Sequence, residues 1–559
     1  MRRTLRPRVR RVLLAAAVAA LPALLAACGS RAGEGHGPAR SSAAPASSAA
    51  PRVFRFRLRE EPPTVDPAQM TDNLSEAIVM NVFRGLVAMD PATLAVVPAV
   101  AASWTVSPDH LTYTFRLRDG VAFHNGRAVE AKDVVWSFER LLKKETHSPR
   151  RWLLEPVAGA LEFAEGKAPS VAGLTAPDPG TVVLRLERPF APFLGMLTMG
   201  GAAIVPREVY EDPEKKYLHA PVGCGPFKVV RWEPSSLIEM AAFDRYYDGR
   251  PAVDLVQVRI IENQVTAFQE YRTGGLDSLD EVPNDLPPEV QPEVLRYPLL
   301  GVGYIGLNLD RPPFKGNTAL RQAINYAVDK EYLWTRLMPG ANVPGRGLIP
   351  PGIAGYDPGL PGYPHDEARA RSLLAQSGYP AGRGLAPIAL WFNTSGDNRR
   401  IAEQVQADLR KIGVTLTLRE VDWAAYLKAV EGTVDTSGEA QMFRFGWSLD
   451  YPDADAVLRP LLHSKNIGPA GNYFRYRNPA VDDLVDRALV IDEPAARADL
   501  YRKAERIAVM EDAPMLFLNY FGSMTLFKPY VKGVTPTPLG EFRIPLERLY
   551  LEKPSPTPA

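Results

Sequence analysis

Few side chains in this chain are spaced for covalent chemistry. It holds two cysteines, Cys28 and Cys224, and seven histidines: His36, His110, His124, His147, His219, His365 and His463. A thiol becomes a useful nucleophile when a base lies beside it, and neither a histidine nor an acid stands in a partner motif for Cys224. No two histidines are separated by the i, i+4 step of a zinc-binding helix, although a nickel site assembled from distant residues stays open. There is no P-loop, dinucleotide glycine motif or nucleophile elbow. Asp450, Asp453 and Asp455 form one short run of carboxylates among many acids in the chain. In a closed, drier cleft a carboxylate gains a charge-assisted bond to an ammonium. In the plainer reading, Asp450 braces a local turn, with Asp453 and Asp455 equally solvated. No catalytic constellation is legible in these residues, and the expectation is a chain that is not an enzyme, with no cofactor and no metal.

The other cysteine belongs to a different kind of feature. Arg2, Arg3, Arg6, Arg8, Arg10 and Arg11 precede an apolar run from Val12 to Ala27, which ends Leu25-Ala-Ala-Cys28. A cationic start, an apolar stretch and small residues before a cysteine form the layout of an export signal. The run falls short of the ~20 residues needed to span a bilayer. It resembles a bacterial lipobox, with residues 1–27 removed and Cys28 acylated, and multiple acyl chains give stable anchoring. Residues 28–51 are mostly Gly, Ser, Ala, Pro and Arg, too poor in apolar surface to fold, and read as a tether. The expected location is therefore outside the cytoplasmic membrane, on its outer face, at the cell surface or in the periplasm.

Beyond the leader lie about 530 residues, enough for three or four units. Hydrophobic content of 46% and charged content of 23% are ordinary for globular proteins. The formal net charge is +1, and without the leader arginines the remainder is mildly acidic. Nucleic acid is not an expected partner, since it calls for a basic patch. If Cys28 carries lipid, Cys224 has no intramolecular disulfide partner.

The elements alternate. Leu111 to Arg118 has the period-two pattern of a half-buried strand, with turn pairs at Asp119-Gly120 and Asn125-Gly126. Ala131, Val134, Val135, Phe138, Leu141 and Leu142 fall on one side of a helix. Val182, Leu184 and Leu186 form another strand. Ile388 to Phe392, then Ile401, Val405, Leu409 and Ile412, then Val414 to Leu418 after Gly413, make a βαβ unit with parallel strands. Leu320, Ile324, Ala327 and Val328 predict a helix closed by Pro339-Gly340. Val481, Leu484, Val485, Ala488 and Leu489 predict another, with Pro494 opening the next.

Several local sequences then resemble one family, the large solute-binding lipoproteins of ABC importers that carry dipeptides, oligopeptides and nickel. They are Val65-Asp-Pro67 with Asn81-Val-Phe-Arg-Gly-Leu86; Pro98-Ala-Val-Ala-Ala-Ser-Trp104; Phe123-His-Asn-Gly126 with Asp133-Val-Val-Trp-Ser137; Pro221-Val-Gly-Cys-Gly-Pro-Phe-Lys228; Arg321-Gln-Ala-Ile-Asn-Tyr-Ala-Val-Asp329; and Gly446-Trp-Ser-Leu-Asp-Tyr-Pro-Asp453. They run in the family's order from about Thr64 to about Arg543. Cys224 stands where the family usually has Thr, which makes it structural.

The resemblance implies an α/β fold of two lobes that close on ligand like a Venus flytrap, with an extra domain inserted in the first. It places the first lobe at 52–297, including an insert at about 88–200, the second at 298–515, a return to the first at 516–552, and a tail at 553–559. Crossings near Leu300 to Leu307 and Met515 to Asn519 would carry the hinge, and Gly301, Gly303 and Gly306 suit it. It further implies that Asp450 pairs with the α-ammonium of a short peptide. Gly446, Trp447 and Ser448 would offer main-chain groups by strand addition, with Tyr451 beside them. Trp447 serves equally well as core. Thr71, Asp72 and Asn73 have the spacing of the facing ligand loop, though their types differ from those of oligopeptide binders. The implied partners are a small solute, an ABC permease and the lipid of the anchor, and the implied state is a monomer. Nickel chelate, haem or oligosaccharide are the alternative ligands. A secreted hydrolase and a peptide sensor or chaperone are the alternative classes.

Overall fold

A computed structural model describes residues 51–553 apart from 213, 284–285, 433–435, 437 and 541–542. The export signal, Cys28, nearly all of the tether and all but the first residue of the tail lie outside the described residues.

The described chain opens with β1 (Val53–Leu58) and α1 (Asn73–Val82). Four strands follow, β2 (Ala101–Val106), β3 (Thr112–Leu117), β4 (Leu174–Asp178) and β5 (Thr181–Arg185), in an antiparallel sheet ordered β2-β3-β5-β4. Between β3 and β4, α2 (Ala131–Leu142) buries Ala131, Val134, Phe138, Leu141 and Leu142 as their spacing predicts, with Val135 half-buried. β6 (Phe227–Glu233), β7 (Leu237–Ala242) and β8 (Leu255–Ile260) complete a separate sheet with β1, ordered β1-β8-β7-β6, in which only β1 and β8 run parallel.

A seven-stranded sheet forms the other half. Its strands are β9 (Ser278–Leu279), β10 (Val294–Leu307), β11 (Val343–Pro344), β12 (Ile388–Asn393), β13 (Leu416–Val421), β14 (Met442–Ser448) and β15 (Met515–Phe527). The order is β9-β15-β10-β14-β12-β13, with β11 on β15. The βαβ unit is present: β12 and β13 are parallel over six residue pairs, joined by α4 (Gly396–Lys411). α3 (Thr318–Ala327) ends earlier than Pro339-Gly340. Val328 turns extended, and Asp329 caps a new short helix over Lys330–Tyr332 by accepting from the Tyr332 amide, so two apolar segments had read as one. α5 (Asp455–Leu462), α6 (Pro479–Leu489) and α7 (Pro494–Arg506) follow, the last two with Pro at the helix start.

The long strands β10 and β15 pair antiparallel from Val294 with Leu526 to Gly306 with Met515, with irregularities after Pro298 and Gly303. Gly301 and Gly303 do not have positive φ. They are glycine for space: a Cβ at Gly301 would lie 2.3 Å from the Phe521 ring, and one at Gly303 2.1 Å from Asn519 Oδ1. After β15 the chain returns to its beginning. Arg84 donates to Glu547 at 2.5 Å, and Tyr530 donates to Asp277 at 2.6 Å.

Two of the sequence motifs are interlocked. The His124 amide donates to Gly223 O at 2.8 Å, its Nε2 donates to Gly225 O at 3.0 Å, and its Nδ1 accepts from the Gly223 amide at 3.3 Å. That leaves the ring neutral, and burial pushes it down to about 4.

Candidate functional site

Asp450 follows directly on the β14 edge. From Arg444 to Ser448 that strand pairs with β10 on one side, while its pairing with β12 stops at Phe443. Its other edge thus has no neighbouring strand there among the described residues, the condition for strand addition. Gly446 lies flat beneath Phe521, where a Cβ would come within 2.7 Å of the ring. Ser448 is exposed. Trp447 is half-buried, packs against the core and donates its indole N–H to Ala456 O at 2.7 Å, so its polar group is used within its own segment. Tyr451 is buried, with its hydroxyl 3.2 Å from Asp455 Oδ2.

The three acids of the motif separate sharply. Asp453 and Asp455 are not solvated, contrary to the plainer reading. Arg497 takes both oxygens of Asp453, and the buried Asp455 accepts from Arg459 Nε at 3.0 Å. Burial pushes the Asp455 carboxyl up, against the pull of Arg459. Asp450 alone keeps a substantially open carboxylate, with 39% of its side chain exposed.

Across from it stands the loop before α1. Thr71 and Asn73 are exposed, while Asp72 is the α1 cap, accepting from the Ser75 amide at 2.9 Å and the Ser75 hydroxyl at 2.7 Å. That is the ordinary work of an Asp at a helix start. Arg150, which nothing in the sequence pattern singles out, joins this loop to Asp450. Its Nε donates to Met70 O at 2.9 Å, its Nη2 to Thr71 O at 3.3 Å, and its Nη1 to Asp450 Oδ1 at 3.3 Å. Arg543 completes the surround, reaching Asp450 O at 3.4 Å and Glu76 Oε1 at 2.8 Å. The carboxylates Asp450 and Glu76 are therefore balanced by two guanidinium groups.

A cavity of about 390 Å³ lies beyond Arg543, lined by Met80, Arg84, Tyr247 and Leu539 among others. All its described lining residues precede residue 251 or follow residue 536, so the segment carrying Asp450 does not build it. Among the described residues no three His, Cys, Asp or Glu stand close enough together to hold a metal ion. Cys224 is 1% exposed, and burial pushes its thiol up to about 12. A thiol so held is a packing group and not a nucleophile.

Residues 95–469 match the bacterial extracellular solute-binding proteins, family 5. The chain is similar to haem-binding protein A of Haemophilus influenzae strain Rd, at 31% identity over 548 residues, covering 94% of this chain and 96% of that protein. It is similar to the dipeptide-binding protein of Escherichia coli K12, at 29% identity over 523 residues, covering 89% and 94%. Among solved structures it resembles the ABC transporter-associated periplasmic binding protein DppA of Helicobacter pylori in complex with the peptide STSA. There the TM-score is 0.74 at 30% identity, over 90% of this chain and 98% of that one.

Proposed function

Because the chain belongs to the family 5 bacterial extracellular solute-binding proteins of ABC importers, which are two-lobed and not enzymes, we propose that it captures short peptides. The observation that carries this reading is the pairing of an open carboxylate at Asp450 with an open β14 edge just before it. An extended peptide adds to such an edge through its main chain, and its ammonium meets the acid. Main-chain pairing tolerates varied side chains, which suits a nutrient receptor. A relative named for dipeptides and a structural neighbour holding a peptide support the same class.

In this reading residues 52–297 and 516–552 form one lobe, with the insert at about 88–200, and residues 298–515 form the other. The paired strands β10 and β15 carry the chain between them. Ligand touching both lobes favours the closed state, and the permease reads that state. Acylated Cys28 holds the monomeric receptor on the membrane, and the 28–51 segment gives it reach.

The test is a thermal-stability screen of the purified protein against di- to pentapeptides, free amino acids, nickel, haem and cello-oligosaccharides. A ligand at 100 times its dissociation constant stabilises by ~2.7 kcal/mol. Peptide shifts that vanish on N-acetylation and in Asp450→Ala support the reading. Shifts with haem, nickel or sugar alone remove peptides as the ligand and Asp450 as the ammonium group.

A further inference from the structure

We propose that the cavity beyond Arg543 is a second solute site, separate from the one at Asp450, and that it takes a small amphipathic carboxylate. The carboxylate meets Arg118, and the apolar body of the solute lies against Met80, Met89 and Met199. This site does not depend on which solute the Asp450 cleft captures.

Stretches of chain distant in sequence build the cavity. Arg118 follows β3, Tyr247 lies between β7 and β8, and Thr537 and Leu539 come from the C-terminal return. At about 390 Å³ it falls within the ~300–1,000 Å³ range of small-molecule pockets. Among the described residues five arginines line it. Four are matched to carboxylates: Arg84 to Glu547, Arg543 to Glu76, Arg250 to Asp244 and Asp254, and Arg548 to Asp90. Arg118 has no acid partner among the described residues. Its Nε donates to Ala99 O at 2.7 Å, and its guanidinium lies 5.5 Å from the centre of the Tyr247 ring, so the group is held in place. Its two terminal nitrogens meet no acceptor among the described residues, and neither is sealed from solvent. That leaves four of its five N–H donors free, in the planar fork that a carboxylate accepts through two parallel bonds.

The rest of the wall agrees with an anion that has an apolar body. Of the two lining acids, Glu547 is taken by Arg84, and Asp248 is exposed with no partner among the described residues, so its charge is left to water. Thr537 lines the same cavity and is 2% exposed. Its oxygen accepts from the Leu539 amide at 3.3 Å, while its own proton has no acceptor among the described residues, which adds a second donor. Met80, Met89 and Met199 supply unbranched, polarisable surface that adapts to a flat ring or an extended alkyl chain. A bare inorganic anion would leave that surface against water. An alkyl or aryl carboxylate covers it.

The test is calorimetric titration of the full-length protein with hydrocinnamate, octanoate, hydrocinnamamide and inorganic phosphate, in wild type, Arg118→Gln, Arg118→Lys and Asp450→Ala. Both carboxylates should bind wild type, and the neutral amide should bind about tenfold or more weakly than its acid. Arg118→Gln should weaken hydrocinnamate by about tenfold or more. Arg118→Lys, which keeps the charge and loses the planar fork, should weaken it by less. Phosphate should bind more weakly than either carboxylate. Hydrocinnamate binding should persist in Asp450→Ala, which places it outside the cleft. The proposal is overturned if neither carboxylate binds at about 1 mM, if the amide or phosphate matches hydrocinnamate, or if Asp450→Ala abolishes binding. Full hydrocinnamate affinity in Arg118→Gln overturns it as well. Should Arg118→Gln fail to fold, the comparison of acid with amide in wild type, together with Arg118→Lys, decides the question.

Discussion

Arg140 grips Asp66 with both arms of its guanidinium, Nη1 at 2.8 Å from Oδ1 and Nη2 at 2.5 Å from Oδ2, and both side chains are largely withdrawn from water. The pair ties α2 to the segment ahead of α1, where Asp66 also accepts from the Ala68 amide at 3.0 Å. Removing one partner strands the other charge. Arg140→Ala and Asp66→Ala should each cost about 3–5 kcal/mol in denaturant unfolding. The double replacement Arg140→Met with Asp66→Leu should cost less than either. Equal or additive losses would show that the desolvation argument does not apply here.

Glu505 supplies a pH dependence. Its buried carboxyl accepts from the amides of Leu348 and Ile349, both at 2.7 Å, yet burial dominates and pushes it up from 4.5 to about 7. The folded state then holds a proton that the unfolded chain releases at lower pH. This group's contribution is therefore fully favourable below about 4.5 and is lost as pH rises towards about 7. Glu505→Gln keeps both acceptor bonds without the titration. The stability of wild type minus that of Glu505→Gln should fall by about 3 kcal/mol across that window. A flat difference would sink the assignment.

Cys224 should be inert in the native protein. With its thiol pushed up to about 12 by burial, little thiolate forms near neutral pH. A maleimide should leave it unmodified until denaturant is added, as read by peptide mapping. Rapid native labelling would contradict the packing role.

Glycines separate by what surrounds them. A Cβ at Gly223 would lie 2.1 Å from Val82 O and 2.7 Å from the Phe83 ring, and main chain cannot swing aside. Gly223→Ala should cost more than about 2 kcal/mol. Gly396, at the start of α4, meets nothing within 4 Å. Gly396→Ala should stabilise by about 0.4–1 kcal/mol. Melting temperatures of the two variants should move in opposite directions.

The legible parts were those carried by local periodicity. β12, α4 and β13 follow from a change of apolar spacing over some thirty residues. The end of α3 was not legible, because apolar Leu333 and Trp334 resume after a break that only the backbone at Val328 reveals. In the site, Asp450 stood out through its motif, but Arg150 lies 300 residues away and leaves no periodic trace. The Asp455 to Arg459 pair could have been read, since it is an i, i+4 pair on α5. The Asp453 to Arg497 pair could not, because it joins separate elements.

The bonds from Arg84 to Glu547 and from Asp277 to Tyr530 carry a consequence for biosynthesis. A chain that leaves the ribosome, or threads a membrane, N-terminus first can shape β1, α1 and the β2–β5 sheet early. It cannot seal the unit containing them until nearly its last residues have arrived. Such long sequence separations slow the final closure, so this unit becomes compact only once nearly the whole chain is available.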